Sequence, residues 1–344
     1  MTKARLNIGV VGLGRMGRLY AHALASQVSG AALYAVAEPD ALARAAGLTD
    51  LSAPHVLADV HDLLALPELD ALVIATPTST HSALVIAAAA VSKPIFCEKP
   101  LALTLADTHA ALDAVRRAGV PLQVGFMRRF DLAYQRAMAL IADGRIGTPT
   151  TFKSIGRDPF CPRPEYADPA HSGGLIVDMA IHDFDLARWL VGSEVERVSA
   201  EGATLVCDEL RAVGDIDNAV INLRFVSGAI GNVEVSRNAF YGYDIRTEVL
   251  GSEGAVTIGA HGHTPVLLLT RAGGQHDLMP YLMERFGDAY RAQIQHFVDC
   301  LREDRTPSVG GNDGLAALEI AVAATRAYQE GRAVVVDEVR SSRQ

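Results

Sequence analysis

The sequence predicts an α/β protein: an N-terminal Rossmann domain with a doubly wound parallel sheet, then an α+β domain built on a large, mostly antiparallel open sheet. Three observations predict it. The chain opens with a short apolar strand that breaks at glycines and continues as a helix, "NIGVVGLGRMGRLYAHAL". Strand and helix patterns then alternate up to residue 126. Beyond Gly147 most segments show the two-residue alternation of half-buried strands.

In the opening turn Gly12, Gly14 and Gly17 form G-x-G-x-x-G between a strand and a helix. Gly12 allows the tight turn, Gly14 lets a pyrophosphate approach the backbone, and Gly17 lets helix and strand pack closely. The helix start, at Arg15 and Met16, offers N–H groups to the phosphates. The second strand, "AALYAVAEPD", ends at Glu38, twenty-one residues after Gly17, where an acid accepts hydrogen bonds from an adenosine ribose. Glu38, Pro39 and Asp40 would repel a 2'-phosphate, and the nearest arginine is Arg44, so NAD is expected over NADP.

The alternation continues with "ALVIATPTSTHSALVIAAAAV" as strand, loop and helix, "KPIFCEKP" as strand, "TLADTHAALDAVRRAG" as helix and "PLQVGF" as strand. Ligands of doubly wound sheets sit at the carboxyl ends of the strands. Thr76, Pro77, Thr78, His81, Glu98 and Lys99 are therefore candidate contacts for the nicotinamide half of the cofactor. Thr78 and His81 fit ordinary helix capping equally well.

In the second half, "TPTTFKSIGRDP" reads as a strand, and residues 159–173 carry Pro and Gly without a regular pattern. "SGGLIVDMAIHDFDLARWL" then reads as a packed helix, with Leu175, Met179, Ile181, Phe184, Leu186, Trp189 and Leu190 at spacings near three and four. Asp178, His182, Asp183 and Asp185 interrupt it. "NAVINLRFVSGAIGNVEVSRNAF" is a hairpin turning at Ser227–Gly228, and "TEVLGSEGAVTIG" another turning near Glu253–Gly254. Helical patterns return at "ERFGDAYRAQIQHFVDCLRED" and "NDGLAALEIAVAATRAYQEG". The domains are expected at 1–126 and 127–344, with the last helix free to pack back on the first domain. An open sheet covered on one face invites a second copy on the other.

Composition narrows the function. The 344 residues are 49% hydrophobic and 21% charged, as in a globular protein of two domains. A net charge of -9, with no run of Lys or Arg longer than two, argues against nucleic acid. The short, glycine-broken first apolar run resembles neither a signal peptide nor a membrane span. Cys97, Cys161, Cys207 and Cys300 lack paired spacing; no metal site is expected, and the set suits a reducing compartment, hence a cytoplasmic protein.

Three residues carry the expected chemistry. Lys99 closes the strand at the cofactor edge in "CEKPL". Asp178 and His182, four apart on one helix face, can pair. His182 would take the proton of a substrate hydroxyl while Asp178 fixes its tautomer. Lys99 would hold the same oxygen as negative charge builds on it.

At these residues the sequence resembles the glucose-fructose oxidoreductase and inositol dehydrogenase family, most of all its inositol 2-dehydrogenase branch. "GVVGLGRMG", "ATPTSTH", "CEKPL", "VGFMRRFD", "SGGLIVDMAIHDFDLARWL", "YGYDIRTEVLGSEG" and "RFGDAYRAQIQHFVD" carry the resemblance across the whole chain. It implies an NAD-dependent oxidation of a secondary ring hydroxyl of a polyol such as myo- or scyllo-inositol, with Lys99, Asp178 and His182 as the catalytic triad. It implies a cis bond at Lys99–Pro100, polyol contacts from Met127, Arg129, Arg157, Asp158 and Tyr243, and a homotetramer joined through the open sheets. Glu38 stands where many relatives have Asp, and Asp158 where some myo-inositol enzymes have an amide. Two other readings stay open at this stage, a pyranose 1-dehydrogenase and a non-catalytic NAD-responsive regulator.

Overall fold

The computed structural model describes residues 5–47, 51–259 and 262–341. Two compact units make up the chain, Met1–Met127 with Asp288–Leu315, and Arg128–Gly287 with Ala316–Gln344.

The first unit holds β1 (Leu6–Val11), β2 (Ala31–Ala37), β3 (His55–Leu57), β4 (Ala71–Ile74), β5 (Ile95–Cys97) and β6 (Leu122–Val124). They form a parallel sheet in the order β3-β2-β1-β4-β5-β6. Strands β4 and β5 are buried at every residue, which is why they read as unbroken apolar runs rather than alternating ones. The order reverses between β1 and β4, so the loops after these two strands border the crevice where doubly wound sheets bind ligands. The division expected at residue 126 leaves Asp288–Leu315 with the second domain; in the structure it groups with the first unit. Its aromatic rings explain the attachment. Tyr290 and Phe297 lie edge-on to Tyr20 and Phe96, with centroids 6.4 and 6.1 Å apart, and Gln293 Nε2 donates to Tyr20 Oη at 2.7 Å.

The second unit holds β7 (Pro149–Arg157), β8 (Val195–Ala203), β9 (Asn218–Phe225), β10 (Ile230–Ser236), β11 (Asp244–Gly251) and β12 (Ala255–Ile258). A two-stranded ribbon, β13 (Leu267–Thr270) with β14 (Gly273–His276), and the short β15 (Val334–Val335) follow. The sheet order is β12-β11-β7-β10-β9-β8-β15, antiparallel throughout except where β10 runs parallel to β7. Both expected hairpins form, β9–β10 around Gly228 with φ +90° and β11–β12 through residues 252–254.

One helix packs against β7 and β10 and buries the carboxylates of Asp183 and Asp185. Its pattern reads as α from Leu175 onward, but the structure has a π-helical turn at Ile176–Ala180 before the α-helix Ile181–Val191. The opening turn is held from outside: Asp215 accepts the Leu175 N–H at 3.0 Å and Asp178 is drawn toward Arg237 at 3.4 Å. Further along, Asp183 accepts from Arg128 at 2.6 Å and from Ser154 Oγ at 2.5 Å, and Asp185 takes two bonds from Arg129 at 2.8 and 2.5 Å. Burial works against the Arg128 cation, yet the Asp183 carboxylate holds its pKa above the ordinary guanidinium value.

Arg128 and Asp183 side chains are 5% and 0% exposed, so removing one charge strands the other in a dry interior. Arg128→Met is expected to cost about 3–5 kcal/mol, and the double variant Arg128→Met/Asp183→Leu to recover much of that loss. Thermal and denaturant midpoints of the three proteins check it. Equal destabilisation by the single and double changes would refute the pairing.

Candidate active site

The glycine turn shows why each of its glycines is there. Gly12 has φ +88°, and a Cβ on it would stand 2.7 Å from the Ala75 carbonyl oxygen; a Cβ on Gly17 would stand 1.8 Å from that of Gly12. Those two are demanded by the chain itself. Gly14 is different: its φ is an ordinary -65°, and an added Cβ meets no protein atom within 4 Å. A glycine that the protein does not need sterically marks where a ligand comes close to the backbone. The helix that starts here, Arg15–Ser26, has no side-chain cap and no acid in its first turn, leaving its amides for an anion.

Glu38 leans over the same turn. Its Oε2 accepts the Leu13 N–H at 2.7 Å and its Oε1 the Asp40 N–H at 3.1 Å. Arg44 donates to the Glu38 and Pro39 carbonyls at 2.5 and 3.3 Å, which spends its cation on backbone. These residues fit a dinucleotide: open glycine and amides for the pyrophosphate, an acid for the ribose.

Lys99 is half-buried just after β5, and its bond to Pro100 is cis. Two residues expected to touch the cofactor instead fasten this turn. Glu98 is buried; one carboxylate oxygen accepts from Tyr20 Oη and the other from the Lys99 N–H at 3.2 Å. Burial pushes the Glu98 carboxyl above its usual range, against the pull of the Tyr20 bond and the Lys99 charge. Gly125 leaves room for it, since a Cβ there would come within 2.9 Å of that carboxylate. His81 is buried too, with Nδ1 2.7 Å from the Pro100 carbonyl and Nε2 2.9 Å from that of Thr76. Burial lowers its pKa, against the two carbonyls, which both favour a ring proton facing them. Thr76 also bonds Thr80, Oγ to Oγ, at 2.6 Å; Pro77 is exposed and Thr78 opens a short 3-10 turn.

In the second unit Asp178 sits in the π turn, 22% exposed at its side chain, and His182 lies in the first turn of the α-helix. Arg237 joins Asp178 to the buried Asp215. The residues expected at the polyol fall into different surroundings. Arg129 gives two donors to Asp185 and lies 5.6 Å from the Trp189 ring, so its guanidinium braces the helix. Arg157 bonds Glu234 at 2.7 Å and Tyr241 Oη at 2.8 Å. Tyr243 is buried edge-on to Tyr281, centroids 5.5 Å apart, and burial raises its phenol pKa. Asp158 is half-buried after β7, its N–H donating to Ser236 at 2.8 Å, and Met127 is buried.

The chain matches two family descriptions, "Oxidoreductase family, NAD-binding Rossmann fold" over residues 6–126 and "Oxidoreductase family, C-terminal alpha/beta domain" over residues 138–336. The chain belongs to the Gfo/Idh/MocA oxidoreductase family. It is 41% identical to the scyllo-inositol 2-dehydrogenase (NAD(+)) of Bacillus subtilis over 98% of both chains. It is 39% identical to the myo-inositol 2-dehydrogenase of Thermotoga maritima over 97% of this chain and 99% of that one. A crystal structure of scyllo-inositol dehydrogenase from Lactobacillus casei, with bound NAD(H) and scyllo-inositol, superposes with a TM-score of 0.92 at 28% identity, covering 97% of this chain and 99% of that one. Like other Gfo/Idh/MocA proteins, the chain is an oxidoreductase with an NAD-binding Rossmann domain.

Sequence reasoning missed Arg128, Asp183, Asp185, Asp215 and Arg237 as a set. A signal existed, since "MRRFD" and "HDFD" place charges in otherwise apolar surroundings. It also missed a disulfide: Cys161 and Cys207, 46 residues apart, are bonded, with Cα atoms 5.7 Å apart. Both lie in loops whose meeting depends on the fold, so spacing alone could not pair them; Cys97 and Cys300 are free and buried. Among the described residues no group of His, Cys, Asp and Glu could hold a metal, and no helix is long and apolar enough to cross a membrane.

The glycine geometry separates folding from cofactor binding in this Gfo/Idh/MocA protein. Gly14→Ala is expected to keep the wild-type thermal midpoint while the Kd for NAD rises at least about tenfold, or ~1.4 kcal/mol. Gly17→Ala should lower the midpoint as well. Calorimetric titration with NAD and thermal unfolding read the two effects apart; unaltered NAD affinity in Gly14→Ala would contradict the assignment of the phosphate site.

Proposed function

We propose that the protein is an NAD-dependent dehydrogenase that oxidises a secondary ring hydroxyl of a cyclitol, myo- or scyllo-inositol, to the inosose. The full-length likeness to inositol 2-dehydrogenases, together with Lys99, Asp178 and His182 in this chain, supports this reading.

His182 accepts the proton of the reacting hydroxyl at a ring nitrogen. Asp178 orients the imidazole and stabilises the imidazolium that forms. Lys99 holds the hydroxyl oxygen as negative charge develops there. NAD, when bound, supplies the hydride acceptor. Glu38 and the amides of the glycine turn hold the adenosine ribose and the pyrophosphate. Asp158 and Tyr243 belong to the polyol side of the site. Arg129 supports it through Asp185, to which it is bonded.

The reading includes a homotetramer formed through the open face of the second sheet. Val220, Ile230 and Leu250 are exposed on β9, β10 and β11, and light scattering would give the assembled mass. It also includes a cytoplasmic location, where NAD is supplied.

A panel of inositol isomers and aldopyranoses with NAD, followed by absorbance of the reduced cofactor, tests the function. The expected result is turnover of myo- or scyllo-inositol, with His182→Ala and Lys99→Ala each lowering kcat about 10²–10⁴-fold while NAD affinity holds. Turnover of aldopyranoses alone would replace the cyclitol by a sugar. No turnover of anything on the panel, with NAD still bound, would replace the enzyme by an NAD-responsive regulator.

A further inference from the structure

The residue immediately after β10 is Arg237, and its side chain is 2% exposed. Nη1 donates to Asp215, and Nη2 stands 3.4 Å from Asp178 Oδ2. The arrangement is fixed on every side. Asp215 accepts the amide of Leu175, which leads into the π turn, at 3.0 Å. The Arg237 amide donates to the Asp217 carbonyl at 2.9 Å, and the Asp217 carboxylate gathers the amides of Leu205, Val206 and Cys207 at 2.8, 2.7 and 2.6 Å. A guanidinium so held cannot follow a moving partner. It offers Asp178 one direction and one distance.

We propose that Arg237 is a positioning residue for the oxidation: it fixes the orientation of the Asp178 carboxylate, takes up part of its charge, and so sets how strongly Asp178 backs His182 as proton acceptor. The proposal rests on the dehydrogenase reading above, in which Asp178 and His182 work as a pair. The physical reason is one of balance. An imidazole backed by a full, unshared carboxylate holds its proton too firmly to be a free acceptor near neutral pH. One backed by nothing accepts too weakly. With Arg237 between them, Asp178 and Asp215 share a single cation, and the trio carries one net negative charge.

The other charged groups near the helix have partners of their own, Arg157 in a network that also takes in Asp244 and Arg246. On the helix itself, Asp183 is matched by Arg128 and Asp185 by Arg129. From β7 comes Arg157, matched by Glu234 of β10, together with Asp158 at the strand end. Arg237 and Asp215 are desolvated, with side chains 2% and 4% exposed, so the field they set at the partly exposed Asp178 is little screened.

The test is the pH profile of kcat/KM for the full-length enzyme with NAD and its best inositol, in four proteins. Arg237→Gln removes the cation. Its low-pH arm is expected to move up by about one pH unit, with kcat about 10–100-fold lower and the Kd for NAD unchanged. Arg237→Lys, which restores a cation, should recover most of the rate. Asp215→Asn keeps the shape and leaves the whole cation to Asp178, so its arm should move the other way, to lower pH. A merely structural role would lower activity at all pH values without moving the arm. If folded Arg237→Gln and Asp215→Asn both keep the wild-type arm, the proposal fails. If Arg237→Gln does not fold, the direction of the Asp215→Asn shift decides alone. His182→Ala separates this from the underlying reading. Retained turnover in that variant sinks the proton-acceptor role itself; an inactive His182→Ala beside unmoved arms sinks only Arg237.

Discussion

A charge survives inside a protein only if an opposite charge or a set of hydrogen bonds is buried with it, and the central helix of the second unit is organised by that constraint. The helix from Ile176 to Val191 places Asp178, Asp183 and Asp185 in surroundings of Ile, Phe, Leu and Ala. Each carboxylate has an arginine: Arg237, Arg128 and Arg129 in turn. Fixed at its π turn by Arg237 and Asp215 and further along by the two neighbouring arginines, the helix has little freedom to shift or rotate. His182 sits between these attachments. Buried ion pairs add little net stability over apolar packing, but they are directional, and direction is what a proton-accepting imidazole needs.

The first unit meets a related problem with backbone. Its anion site consists of amides at the start of a helix, and the chain keeps them open by omitting a cap, an acid and a side chain at Gly14. Glu38 then fits the turn by accepting the Leu13 amide. The strand-end lysine is supported in a similar way. Glu98 and His81 lie beneath the cis turn and carry its polar atoms on Tyr20, the Lys99 amide and two carbonyls. Polar residues next to a candidate site thus divide into those that offer donors outward and those that spend them on the scaffold.

That division marks how far the sequence was legible. Gly12, Gly14, Gly17, Glu38 and Lys99 could be read in order because each acts through its own strand end or turn. Both hairpins and the parallel sheet were legible for the same reason, since period and turn chemistry are short-range. The ion pair of Arg129 with Asp185 was not legible, because a guanidinium beside an expected site looks the same whether it faces a ligand or an aspartate. The helix pattern could not reveal the contacts of the π turn, since Asp215 and Arg237 lie far away in the chain. The Cys161–Cys207 bond escaped in the same way.

By itself the sequence determined the class of each half, the cofactor turn, the strand-end lysine and the Asp-His helix, all set by interactions among near neighbours. Only the tertiary structure decided which charge answers which. Arg128 and Asp183 are 55 residues apart, Arg237 and Asp178 59, and Glu98 and Tyr20 78. An isolated charge in a sequence carries no record of its partner. Its partner is chosen when folding removes the water that would otherwise have served every charge alike.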